Sequence, residues 1–153
     1  MKHYTEHDLD RIARSRTFED IVPVALGVIA RMPRPVALVS GPISSGGLGS
    51  VQANIVRFHA VIGYLEARGV SVFDQMPLEE HFWRIMKDDA YYRGGEHLLE
   101  AFYGTLLDSG SIQQVKMIPG WEGSYGARWE HDRALRNGIP VEYLTLSWLR
   151  PLA

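Results

Sequence analysis

The sequence predicts one α/β domain, a mostly parallel sheet covered by helices on both faces. Three observations carry that reading. Val36-Ala37-Leu38-Val39-Ser40 is a continuous apolar run between Pro35 and Gly41, the pattern of a strand buried on both sides. Val51, Ile55, Phe58, Ile62 and Leu65 then follow at alternating four- and three-residue spacing, the stripe of an amphipathic helix. Gly69 stands where such a helix stops, and Val70-Ser71-Val72-Phe73 reads as a second strand ending at Asp74. Strand, loop, helix and strand in this order form a βαβ unit, whose crossover is right-handed.

The remaining elements follow the same logic. Thr5 to Arg16 is a polar helix with Thr5 as its cap and Asp8 three residues on. Thr17 and Asp20 repeat the pattern ahead of a second helix that accepts Pro23 in its first turn and runs to about Arg31. Met32-Pro33-Arg34-Pro35 ends it, so residues 1–34 form a helical N-terminal extension and 35–153 the main domain. Further on, Leu78–Lys87 and Glu96–Leu107 read as helices and Val115–Ile118 as a third strand closed by Pro119-Gly120. Tyr125–Asn137 is a helix stopped by Gly138, and Val141–Trp148 is the last strand. The sum is a flavodoxin/Rossmann-like three-layer sandwich. In such sheets ligands bind beyond the carboxyl ends of the strands. Three places qualify: the loop after Ser40, the turn at Asp74-Gln75, and the segment after Ile118.

Composition removes several function classes. The chain has 153 residues, 46% hydrophobic and 22% charged, which is ordinary for a globular domain. A domain of this size buries roughly 68–70% of its unfolded surface and folds without staples. Absence of cysteine removes disulfides, thiolate metal sites and cysteine nucleophiles together, and suits a cytoplasmic protein. A net charge of −2 gives no strong field toward nucleic acid or membrane. The longest apolar run, Ile21 to Ala30, is broken by Pro23 and Gly27 and is too short to span a bilayer. Met1 to Asp8 has no apolar core, so no signal peptide is expected.

His3, His7, His59, His81, His97 and His131 make no His-x-x-x-His pattern, so no metal site is signalled. No Gly-x-Ser-x-Gly elbow and no basic stripe with interleaved aromatics is present, which speaks against a serine hydrolase and a nucleic-acid groove. Glu79-Glu80-His81 and Asp88-Asp89 read most simply as solvated helix ends, although two of these groups have the reach to enter the cleft.

Chemistry concentrates in two segments. Gly41 to Ser50 is rich in glycine and serine and joins a strand to a helix. Glycine lets backbone approach a ligand, and helix-start N–H groups favour anions. Position alone does not separate a ligand loop from a plain connector. On the helix after Gly120, Ala127, His131, Ala134 and Leu135 share one side, with Glu130 at its edge and Arg128, Asp132 and Arg136 pointing away. A carboxylate there must be solvated, paired or in a cleft. The plain alternative is an ion pair with Arg133 or Arg128. Trp121 and Tyr125 flank the same turn, where aromatics can stack on a planar base. Trp129 lies opposite the alanines and reads as a subunit contact.

Together, Leu38-Val39-Ser40-Gly41-Pro42-Ile43 and Ile118-Pro119-Gly120-Trp121-Glu122-x-Ser124-x-Gly126-Ala127-x-x-Glu130, followed by Ala134 and Gly138-Ile139-Pro140-Val141, resemble the nucleoside 2-deoxyribosyltransferase-like superfamily. The similarity covers about Pro35 to Tyr143. It implies that Glu130 is a nucleophile toward the anomeric carbon of a ribosyl or deoxyribosyl group. It also implies that Ser124 helps to hold a 5′-phosphate, as in the nucleotide N-glycosidases of the superfamily. Gly41, Pro42, Ser44, Gly46, Gly47, Asp74, Gly120, Trp121 and Gly126 are the other implied substrate-binding positions, with Asp74 on the ribose hydroxyls or assisting protonation. The implied partner is a small nucleotide or nucleoside, the assembly a homodimer or higher homo-oligomer, and no cofactor is needed. Leu38 stands where many transferases carry tyrosine, and no aspartate near Tyr103 to Gln113 matches the one they use on the base. Those two departures favour the alternative, a non-catalytic nucleotide-binding or sensing module on the same fold.

Overall fold

A computed structural model describes residues 3–44, 46–145 and 147. Helix α1 spans Glu6–Arg14 and α2 spans Phe18–Ala30. Each opens on a reciprocal capping box, Thr5 with Asp8 and Thr17 with Asp20, which satisfies the first free N–H groups. Pro23 lies inside α2 rather than in its first turn, because the Thr17 cap starts the helix at Phe18. Strand β1 is Val36–Ser40, α3 is Val51–Ala67, and β2 is Ser71–Val72. A 3₁₀ turn over Met76–Leu78 leads into α4, Glu79–Met86. A π-helical segment, Leu99–Gly104, runs into the short α5, Thr105–Asp108. Strand β3 is Gln114–Met117, α6 is Tyr125–Arg136, and β4 is Val141–Tyr143.

The four strands are all parallel, in the order β2-β1-β3-β4. This is the three-layer α/β sandwich that the apolar runs predict. Alternate residues feed the two layers. Val36, Leu38, Val115 and Met117 join a core with α1, α2, α4, α5 and α6, whereas Val39, Val72 and Ile118 pack on Phe58, Val61, Ile62 and Leu65 of α3. Phe58, Ile62 and Leu65 of the α3 stripe are buried, while Val51 and Ile55 in its first turns stay half-buried near the loop.

Differences from the periodicity have local causes. β2 is shorter than Val70–Phe73, although the Phe73 N–H still bonds the Ala37 carbonyl at 2.9 Å. β4 stops at Tyr143, with the Leu144 N–H reaching the Met117 carbonyl at 2.9 Å. Its neighbour β3 ends there, and Pro119 has no N–H with which to continue a ladder. Leu146 and Trp148, part of the same expected strand, lie outside the described residues. The helix expected over Glu96–Leu107 widens into π geometry over Leu99–Gly104, where α6 approaches so closely that a Cβ on Gly104 would sit 3.0 Å from the Trp129 ring. Trp129 thus covers its own chain's π segment.

The N-terminal helices share the main core. Phe18, fully buried, meets Phe82, Tyr91, Tyr92 and His97 at ring-centroid distances of 5.9, 5.6, 6.1 and 5.0 Å, all edge-on. Among the described residues no helix is long and apolar enough to cross a membrane. Because α2 is built into the core, Phe18→Ala is expected to lower unfolding free energy by about 3–5 kcal/mol, with one cooperative urea transition. A separate early transition in urea, leaving the sheet intact, would refute the shared core.

Candidate active site

Topology brings the carboxyl ends of β1 and β3 side by side, at the point where the chain turns from one half of the sheet to the other. Ser40, the last residue of β1, is fully buried, and its hydroxyl donates to Glu130 Oε1 at 2.6 Å. Ala127 and Ala134 are almost completely buried, so nothing larger than a methyl holds α6 off the sheet. That close seat carries Glu130 inside, with 8% of its surface exposed.

The ion pair weighed for Glu130 does not form. Arg133 donates to both carboxylate oxygens of Asp108, at 2.8 and 2.7 Å, and Arg128 donates to the Glu122 carbonyl at 2.6 Å. Both arginines leave the helix on sides turned away from the sheet. Leu135 is also outside, 54% exposed, and His131 takes the inner place expected for it. The His131 ring stacks on Trp121 at 4.2 Å and its Nε2 lies 2.7 Å from the Tyr143 hydroxyl.

Glu130 faces a cavity of about 290 Å³. Its lining includes polar groups, from Gly41, Ser44, Ser124 and Glu130, and apolar and aromatic ones, from Trp83, Met86, Tyr92, Leu98, Leu99 and Tyr125. Glu79 and Tyr103 also line it. Glu79, Trp83 and Met86 are spaced four and three residues apart on α4, so one helix face supplies all three. The Glu79 charge is felt at Glu130. Burial pushes Glu130 up to about 7, the Glu79 charge adds to that rise, and the Ser40 hydrogen bond opposes it. Burial likewise raises Glu79 to about 7. The Tyr103 hydroxyl is driven well above its usual range, by burial first and then by Glu79 and Glu130, and so remains a proton donor.

The residues singled out in the sequence divide into three groups. Gly41, Ser44, Ser124, Gly126 and Glu130 line the cavity together, and Tyr125 borders it. Gly41 is required by packing, since a Cβ there would lie 2.8 Å from the Ile118 Cβ. Ser124 caps α6 by accepting the Ala127 N–H at 3.3 Å, which leaves its O–H to donate. Gly46 and Gly47 border an adjoining hollow of about 330 Å³ at the start of α3. Their loop is held by Asn54, which accepts from the Leu48 N–H at 2.9 Å and donates to the Ile43 and Gly46 carbonyls at 3.0 and 3.2 Å. Pro42 packs against Gly47 and supports the same loop. Asp74, Gly120 and Trp121 line neither space. Asp74 caps the following turn through the Met76 N–H at 2.9 Å, and its carbonyl accepts from the Tyr4 hydroxyl at 2.6 Å. Gly120 makes a left-handed turn at φ 89°, and Trp121 belongs to the His131 stack.

Periodicity did not single out Ser40, Asn54, Glu79 or Tyr103. Ser40 is signalled by being the one polar residue in an apolar strand, and Glu79 by standing four residues before Trp83 on a helix that faces the sheet. No cluster of three or more His, Asp or Glu able to hold a metal ion occurs among the described residues.

A family model described as Domain of unknown function (DUF4406) matches residues 36–143. The chain belongs to this family. The DUF4406 match begins with β1 and ends with β4, so it contains the whole sheet, both carboxyls and the cavity between them. Helices α1 and α2 precede the DUF4406 region. No curated protein and no solved structure matches the chain.

The raised Glu130 pKa has a measurable consequence for stability. In the unfolded chain a glutamate titrates near 4.5, and in the native state Glu130 titrates near 7, so the folded protein holds this proton more tightly. The stabilisation is fully present below the unfolded value and is lost as pH rises through the native one. The loss is on the order of 2–3 kcal/mol. Glu130→Gln should therefore flatten the decline in urea stability between acid and neutral pH and match or exceed the wild type at pH 8. A variant whose stability falls with pH as steeply as the wild type's would place Glu130 in solvent.

Proposed function

We propose that this DUF4406 protein cleaves the N-glycosidic bond of a nucleoside 5′-monophosphate, with Glu130 as the nucleophile. The observation that carries the reading is a buried carboxylate, oriented by the Ser40 hydroxyl, lining a cavity that also presents aromatic side chains. Cleavage of such a bond passes through an oxocarbenium-like state. A carboxylate beside C1′ stabilises that charge and traps the sugar as an ester, which water or a second base then releases. Burial favours this chemistry, because a charge opposite the developing cation acts in a medium of low dielectric.

The cavity's polarity suits the substrate's two ends. The base would rest on Trp83, Tyr92 and Tyr125, and the phosphate on the hydroxyls of Ser44 and Ser124 and the N–H groups that open α6. Among the described residues no arginine or lysine lines the cavity, so hydroxyl and amide donors would carry phosphate recognition without a cation. The likeness of the Gly120–Glu130 segment to nucleoside 2-deoxyribosyltransferases supports the same chemistry and a homodimeric assembly. Deoxyribosyl transfer would share the first half of the reaction and differ only in the acceptor.

The second reading, a nucleotide-binding module without turnover, is favoured by Leu38, which is fully buried in the core where many transferases present tyrosine. Purified protein incubated with nucleosides and their 5′-monophosphates, with free base followed by chromatography, separates the two. Base release that falls roughly 10³-fold or more in Glu130→Gln is the expected result. Ser124→Ala is expected to raise KM about tenfold for monophosphates and leave nucleosides unaffected. Full turnover in Glu130→Gln would end the nucleophile assignment, and a thermal shift without base release would favour the binding module.

A further inference from the structure

We infer that Glu79 is a second catalytic residue of this site, the acid that delivers a proton to the leaving base. The inference rests on the glycosidic reading above and adds to it a residue from a different helix. Glu79 opens α4, and its carboxyl lines the same cavity as Glu130. Trp83 and Met86, on the same face of α4, form part of the apolar wall against which a base would lie. Glu130 comes from a different helix, α6, and lines the same cavity while bonded to Ser40. A sugar held between the two carboxyls presents C1′ to Glu130 and its base nitrogen to Glu79.

The surroundings of the two carboxyls decide which one holds a proton. Two carboxylates sharing one desolvated cavity repel, and each disfavours ionisation of the other. Glu130 receives the Ser40 O–H, a donor that favours its charged form. No donor among the described residues bonds the Glu79 carboxyl, and burial dominates its surroundings. Once one carboxyl of the pair has ionised, the Ser40 hydrogen bond favours the charge on Glu130 and leaves the remaining proton to Glu79. That is the division of labour a displacement at C1′ requires.

The step balances. A Glu130 carboxylate oxygen bonds to C1′ while the C1′–N bond breaks, and its electron pair passes to the base. The base takes the Glu79 proton and leaves neutral. Water then attacks C1′, giving one proton to the Glu79 carboxylate as the ester to Glu130 breaks. Both side chains return to their starting states.

The test compares leaving groups in Glu79→Gln, Glu130→Gln and the wild type. One substrate is the nucleotide that the wild type cleaves; the other is 4-nitrophenyl riboside 5′-phosphate, whose nitrophenolate departs without a proton. In Glu79→Gln, base release is expected to fall ~10²–10⁴-fold, with nitrophenolate release reduced less than about tenfold. Glu130→Gln should abolish both. If Glu79→Gln does not fold, Glu79→Ala with added azide is the second variant, expected to yield a glycosyl azide of retained configuration from the aryl substrate. Equal losses on both substrates, or no loss on either, would overturn the role of Glu79 and leave Glu130 standing. A wild type that releases no base would overturn both.

Discussion

A carboxyl group enters a protein interior only where something compensates for the water it leaves, and here that something is one serine hydroxyl. Ser40 ends the central strand β1, and the hydrogen bond it gives Glu130 ties α6 to the sheet at the point where β1 and β3 diverge. The bond can form because Ala127 and Ala134 let α6 sit close, and because Gly41 lets the chain turn away past Ile118. Larger residues at any of these positions would push the helix outward and return the carboxyl to water. The cavity and the raised pKa of Glu130 both presuppose that close seat.

Much of the architecture was legible in the sequence because its signals are local. The apolar run Val36–Ser40 and the paired caps at Thr5 and Thr17 each describe a structure that forms from nearby residues. The ends of β2 and β4 were harder to read, since a strand lasts only as long as its neighbour does, and that is a property of the sheet. The π segment was illegible for a similar reason: its width accompanies a contact with Trp129, which lies on another helix. For the site, helical spacing set Glu130 at the edge of the inner face, but its partner Ser40 stands 90 residues away in the chain. Glu79 looked like an ordinary solvated helix start because only the tertiary fold brings α4 to the cavity. Trp121 looked like a base-stacking residue because it flanks the same turn as Tyr125, and it stacks instead within its own chain on His131.

The N-terminal helices matter to the site although they precede the family's region. Phe18 is packed by Tyr92 and Phe82, and Tyr92 forms part of the cavity wall. Tyr4 reaches the carbonyl of Asp74, at the turn that leads into α4 and so to Glu79. The extension therefore braces the aromatic lining from behind, while the sheet braces Glu130 through Ser40. An aromatic wall with rigid support accepts a planar group with little loss of side-chain freedom.

The hydrogen bonds of Asn54 bear on how this loop can change over time. One side-chain amide satisfies three backbone groups of the glycine-rich loop, and the space beside it admits no Cβ at Gly47, where one would come within 2.5 Å of the Asn54 oxygen. Neither residue can drift alone: a side chain at one position demands a smaller partner at the other, together with a new way to satisfy the freed carbonyls. Position 47 and position 54 are thus coupled physically, and a change at one is accommodated only through a change at the other.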